Sequence, residues 1–387
     1  MLTKNINFKN FVIKIKKFQI SKKLRLLLNQ NNPILTTLSP EYKYSYNNRI
    51  ISKFKKSSSF TLIGMGGSIL GAQAIYDFLK YKIKKNFLFI NNIDSNLITR
   101  HKKKNNVNLI ISKSGNTLET IVNANIFIKK KDRNIFITEH TNNYLLNLGK
   151  KIKAEIIEHR NYIGGRYSVL SEVGMLPAEL MGLNEKKFKQ FNNLIKNKKF
   201  LNSLVSNVES ILYFIKKDKF TSIILNYDER SDNLFKWYQQ LVAESLGKKS
   251  KGILPIISSM PKDNHSLMQL YLDGPKKSFY TFFHIFDKQS IKIKSKELFS
   301  KSNYLISKDL NKILYSQKIA TENVFKRKKI PFRSFEIFNR DEKTLGELFT
   351  FFILETILLG RALEVNPFDQ PSVELIKKET RKILIKN

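Results

Sequence analysis

Cysteine is absent from all 387 residues. Disulfides and thiolate nucleophiles are thereby excluded, and the commonest soft metal ligands are removed. No apolar run reaches the ~18–20 residues that a bilayer-spanning helix needs. The opening stretch, MLTKNINFKNFVIKIKKF, alternates lysine with apolar residues and lacks the unbroken apolar core of a secretory signal. The expectation is a cytoplasmic protein with no membrane segment. Acidic residues are scarce, 32 against 69 Lys and Arg, which leaves a net charge of +37. Such a charge suits contacts to nucleic-acid phosphates, yet no zinc finger, RNP or basic-heptad pattern accompanies it. The lysines are spread over nearly every segment. They are expected to form a solvated surface without a specific nucleic-acid site, whose field draws in small anionic substrates.

What is present points to a two-domain globular chain, with 42% hydrophobic residues and length enough for a large core. From Met1 to about Ile51 the pattern predicts lysine-faced helices, Phe8 to Phe18 and Leu24 to Leu28, broken at Asn31–Pro33. Short β-branched runs then alternate with helical periods, with strands expected at 60–64, 87–91, 107–111 and 134–138. This βαβ rhythm predicts an α/β fold with a doubly wound parallel sheet.

The stretch VNLIISKSGNTLET, 107–120, carries the clearest chemistry. A buried strand runs into Ser112, Ser114, Asn116, Thr117 and Thr120 around Gly115, and a helix period begins near Leu118. Free backbone N–H groups, a helix N-terminus and small hydroxyl donors then converge on one spot, which suits a phosphate. Gly64-Met65-Gly66-Gly67-Ser68 is half a dinucleotide fingerprint, because residue 69 is isoleucine where the third glycine would stand. Its two readings are a tight turn and a backbone wall for a phosphorylated ligand.

Further along, Gly164-Gly165 permits close backbone approach and aims Arg166. Glu244 falls in the last turn of a helix expected over 232–245, against the negative end of its dipole, where a structural reason for it is weak. His265 sits in a loop before the apolar run Leu267–Leu272. A strongly apolar helix, Leu345 to Leu363, must be buried, and Asn366 to Pro371 breaks it. Gln370, Glu374 and Lys377 then share one face of a new helix by their spacing.

Taken together, GMGGSILG (64–71), SKSGNTLET (112–120), GGRYSVLSEVGMLP (164–177), FKWYQQLVAESLGKK (235–249), NHSLMQL (264–270) and NPFDQPSVELIK (366–377) resemble the glucose-6-phosphate isomerase (phosphoglucose isomerase) family. The segments stand in the family's order and cover the chain from about residue 60 onward. The resemblance implies two sugar-isomerase (SIS) domains, each a parallel sheet wrapped by helices. They are expected at 51–190 and 191–387, after a helical segment 1–50 and with helices at the C-terminus.

The implied activity is reversible aldose–ketose isomerisation of glucose 6-phosphate and fructose 6-phosphate. The resemblance puts Glu244 on the catalytic base, a role that a carboxylate fits if burial raises it toward the working pH. It puts His265 on the ring-opening acid/base, Lys377 near the ring oxygen, and Arg166 opposite the enediolate charge. Ser112, Lys113, Ser114, Thr117 and Thr120 match the phosphate loop, and Gly67, Ser68 and Gln370 line the sugar. Neither a metal nor another cofactor is implied. A homodimer with a shared active site is, the histidine coming from the partner subunit. Three positions depart from the family pattern: Ser372 replaces a glycine, Asn116 a smaller residue and Met65 a β-branched one. Rival readings are another tandem-SIS isomerase (amino-sugar or glucose/mannose type), a non-catalytic sugar-phosphate sensor, and a nucleic-acid binder by charge alone.

Overall fold

A computed structural model describes residues 1–13, 19–94, 105–293 and 303–386. Strand β1 (Ile6–Lys9) opens the chain. Strands β2 (Ser59–Gly64), β3 (Asn86–Ile90), β4 (Asn106–Ile111), β5 (Arg133–Thr138) and β6 (Glu155–Glu158) form a parallel sheet ordered β3-β2-β4-β5-β6. Strands β7 (Thr221–Asn226), β8 (Leu254–Ser259), β9 (Ser278–Ile285) and β10 (Phe332–Ile337) form a second, ordered β1-β10-β9-β7-β8. All its pairings are parallel except that of β1. The chain thus adopts the α/β class expected, two mainly parallel sheets flanked by helices.

The strands read as unbroken apolar runs because both faces are covered. Leu62 of β2 faces one hydrophobic cluster and its neighbour Ile63 the other. In β7, Ile224 points one way while Ile223 and Leu225 point the other. Helices on both faces supply the rest of these clusters, as a doubly wound sheet requires.

One expectation fails at the start of the chain. In place of a helix from Phe8 to Phe18, Phe8 and Lys9 lie in β1, antiparallel to β10 with Ile6 opposite Ile337. Residues 14–18 of the expected helix lie outside the described residues. The alternation Ile6-Asn7-Phe8-Lys9 also has the period of a strand, and a partner more than 320 residues away decides for it. Asn7 donates to the Glu336 carboxylate at 2.8 Å, and the Phe8 and Phe335 rings lie 4.6 Å apart. The next expected helix forms over Ile20–Asn29, and the chain breaks before Pro33 as expected.

At the centre runs the helix Glu342–Leu363, buried at every position from Thr344 to Gly360. A helix apolar all round belongs inside a molecule. It packs on the helices Lys198–Lys216 and Asp232–Leu246. A fully buried polar knot crosses this junction. Arg333 of β10 pairs with Glu355 of the central helix, Asn207 bridges the two, and Tyr238 donates to Glu355 at 2.8 Å. The last helix, Val373–Lys386, buries no residue. Among the described residues, no helix is long and apolar enough to cross a membrane.

Candidate active site

The hydroxyl-rich turn forms where the sequence places it. Strand β4 ends at Ile111, opposite Gly64 of β2, so the turns after these two strands start side by side. Ser112 is buried, with its Oγ 3.0 Å from Thr117 Oγ1. Gly115 has φ +64, and a Cβ there would meet Asn143 Oδ1 at 1.8 Å, so only glycine fits. Asn116, one of the departures from the family pattern, accepts from the Tyr144 N–H at 3.0 Å and ties the turn to the start of the helix Tyr144–Lys151. Thr117 stands at the N-cap position of the helix Leu118–Phe127 without a side-chain capping bond, and in the first turn the buried Thr120 hydroxyl has no partner. Such an unpaired buried donor, beside a helix N-terminus, is what an anion would satisfy.

The second turn, Gly66–Ser68, presses against the segment that carries Arg166. A Cβ on Gly67 would meet the Gly165 carbonyl carbon at 2.1 Å and the Arg166 nitrogen at 2.4 Å. Arg166 itself is buried in the tight turn Gly165–Leu170. Its Nε donates to Ser245 Oγ at 2.8 Å, Nη1 to Gln370 Oε1 at 2.8 Å, and Nη2 to the carbonyls of Pro367 and Asp369 at 2.7 and 3.0 Å. Four of the five guanidinium donors are thus committed. The fifth is on Nη1, which lies 3.2 Å from the Glu244 carboxylate. Trp237 Nε1 holds the Arg166 carbonyl at 3.2 Å. Tyr167 joins Ser245 at 2.8 Å, and burial pushes its phenol up to about 12, so it stays protonated as a donor.

Glu244 reaches this point from the end of the helix Asp232–Leu246, with 23% of its side chain exposed and its other oxygen accepting from Gln240 Nε2 at 2.9 Å. A carboxylate, the guanidinium donor that faces it, a glycine turn and the neighbouring hydroxyl turn therefore border one crevice. That arrangement suits proton abstraction next to a carbonyl in a phosphorylated substrate.

The Phosphoglucose isomerase family model matches residues 50–387. The chain belongs to the phosphoglucose isomerase family. Over 356 residues it is 33% identical to the glucose-6-phosphate isomerase of Methanocaldococcus jannaschii, covering 85% of each chain. A Thermus thermophilus crystal structure described as a hypothetical protein superposes with a TM-score of 0.83 at 23% identity, covering 95% of this chain and 94% of that one. A glucose-6-phosphate isomerase from Chlamydia trachomatis superposes at 0.73 with 16% identity, covering 95% and 83%. At those identities the superpositions speak for the fold alone.

Set against the family pattern, the crevice gathers Gly67, Arg166, Glu244 and Gln370 through direct contacts. Ser68 belongs to the same turn, and Ser112, Thr117 and Thr120 join through the register of β2 and β4. Ser114 stands exposed at the rim. Lys113 turns away. Its ammonium donates to the Asn161 carbonyl at 2.6 Å and lies 3.7 Å from Glu139. Lys377 is exposed on the last helix and pairs with Glu374 at 2.6 Å. His265 is exposed beyond β8, in a turn held by Asp263, which accepts from the Ser259 N–H at 2.8 Å. Ser259 also touches Asp232, the first residue of the Glu244 helix. Glu244 lies twelve residues further along that helix, about 18 Å at 1.5 Å per residue. The histidine and the carboxylate of one chain therefore sit at opposite ends of the same helix. Gln240, absent from the sequence reading, was legible as the residue one helical turn before Glu244.

Proposed function

We propose that this chain interconverts glucose 6-phosphate and fructose 6-phosphate through an enediolate. The observation that carries the reading is the Arg166–Glu244 pair, held 3.2 Å apart against the glycine turn beside the hydroxyl loop. In this scheme the loop of Ser112, Thr117 and Thr120 grips the phosphate, and Gly67, Ser68 and Gln370 line the sugar. Glu244 takes the C2 proton of the open-chain aldose and returns it to C1. The Nη1 donor of Arg166 that faces Glu244 meets the oxygen that gains charge, an interaction worth roughly 2.7–4 kcal/mol by analogy with an oxyanion hole.

His265 acts in ring opening, supplied by a second copy of the chain, because its own Glu244 is out of reach along the helix. The active species is accordingly a homodimer with two shared sites. Lys377 reaches the ring oxygen when the last helix, anchored through Gln370 to Arg166, folds over the crevice. The reading places the reaction in the cytoplasm, where sugar phosphates are retained by their charge, and divides the chain at 50/51 and 190/191.

A coupled assay with fructose 6-phosphate tests the proposal. The parent protein turns over, and Glu244→Gln lowers kcat by about 10²–10⁴-fold, the contribution of a placed general base. Undiminished activity in Glu244→Gln removes the base assignment. A parent that binds sugar phosphate without turnover is a sensor, not an isomerase.

A further inference from the structure

The cage around Arg166 is built from two segments that no secondary structure joins. One wall is the end of the helix Asp232–Leu246, with Glu244 and Ser245. The other is the turn after the central helix, with Pro367, Asp369 and Gln370. The Arg166 guanidinium bridges these two walls with four hydrogen bonds. Another side chain spans the same two. Lys248, two residues past the helix, donates from Nζ to the Ser245 carbonyl at 2.9 Å and to the Asn366 carbonyl at 2.6 Å, and lies 3.2 Å from Asp369 Oδ1. Three ammonium protons thus meet three acceptors, one on the helix wall and two on the turn wall. The Ser245 carbonyl is one of the oxygens that a helix end leaves without an internal partner. The Asp369 carboxylate also accepts from Asn366 Nδ2 at 3.0 Å, which braces the turn internally. The lysine side chain is 12% exposed, whereas its Asp369 partner stands 52% exposed at the outer end of the clamp.

We infer that Lys248 is a positioning residue for the isomerisation: it clamps the Asn366–Gln370 turn to the end of the Glu244 helix at the spacing that aims Arg166. The inference rests on the reading that Arg166 and Glu244 act on the substrate. It assigns Lys248 no contact with the sugar. Burial lowers the affinity of this ammonium for its proton while Asp369 raises it, so the clamp depends on its carboxylate partner. A thioether side chain of similar length would fill the space yet leave all three acceptors without a donor. The turn would then drift, and the donor edge of Arg166 with it. Displacement of a catalytic group by about 1 Å costs on the order of a hundredfold in rate.

The test is steady-state kinetics on Lys248→Met, Lys248→Arg and Asp369→Asn beside the parent and Glu244→Gln. Lys248→Met is expected to lower kcat by about ten- to a hundredfold. Its KM and its inhibition by inorganic phosphate should move less than about threefold, because the phosphate grip belongs to the other sheet. Lys248→Arg should recover part of kcat, and Asp369→Asn should lower it in the same direction by a smaller factor. The double variant Lys248→Met/Asp369→Asn should be no slower than Lys248→Met, as expected for one clamp. Parent-like kcat in Lys248→Met overturns the inference, as does a parallel loss of kcat, phosphate inhibition and melting temperature. If Lys248→Met does not fold, an unchanged kcat in both Lys248→Arg and Asp369→Asn overturns it instead. An inactive parent, or an active Glu244→Gln, refutes the isomerase reading and leaves a different signature from either.

Discussion

At the residue scale, packing leaves some groups no room for a side chain and others no water. Gly67 is the sharpest case, since any side chain there would enter the Gly165–Arg166 peptide. Gly67→Ala should therefore displace Arg166 and cut kcat/KM by about a hundredfold, as misplacement of a catalytic group does. Its unfolding midpoint should also drop, and urea denaturation beside the kinetics checks both. Two buried histidines act differently. Desolvation pushes His159 and His284 down to about 4 from 6.5. Between those values each is neutral when folded and protonated when unfolded. The unfolded state then binds more protons, so stability falls as pH drops from 6.5 toward 4, by up to about 1.4 kcal/mol per pH unit per histidine. Buried carboxyls such as Glu172 and Glu347, raised by desolvation, work in the opposite sense. The informative quantity is thus the difference between parent and variant: His284→Asn should flatten the slope of stability against pH in this window. An unchanged slope would mean that His284 is protonated in the fold.

At the element scale, the central helix is both the core and its chief liability. Glu355 and Arg333 are both fully buried, and Asn207 and Tyr238 complete their hydrogen bonds. Removing one partner leaves a bare charge inside, so Glu355→Ala should destabilise by about 3–5 kcal/mol. Replacing both with apolar residues of like volume, Arg333→Met/Glu355→Leu, should cost less than either single change, which denaturant unfolding measures directly. The elements also differ in how far the sequence disclosed them. The glycine turns, the hydroxyl loop and the central helix were legible because each is decided by neighbours a few residues away. Strand β1 was not, because a four-residue segment takes its identity from the bare edge of β10. The site residues divide differently. Arg166, Glu244 and Gln370 meet across long stretches of chain, and they were legible together only through the family resemblance. His265 and Lys377 stand exposed and apart from that group, on a turn after β8 and on the last helix, and the spacing of one chain does not say what would bring them to it.

At the scale of the whole molecule, the separation of His265 from Glu244 along one helix makes a prediction about assembly. If each site takes its histidine from a second copy, Glu244→Gln and His265→Ala should complement each other when unfolded together and refolded. Half of the dimers would be mixed, and one of the two sites in each would hold both native groups. Mixed refolding should therefore recover roughly a quarter of the parent activity from two inactive proteins, by the statistics of a twofold assembly. Recovery at the level of the two variants alone would mean that no residue is exchanged between copies.

The pairing of β1 with β10 also sets a schedule for synthesis. Ile6 leaves the ribosome 331 residues ahead of its partner Ile337. At about 5–20 residues per second, that gap lasts roughly 15 to 65 s. For that interval Ile6 and Phe8 stay solvent-facing on the nascent chain, open to holdase capture or to the wrong sheet edge. The second sheet is sealed only after the 331 residues that separate these partners have been made.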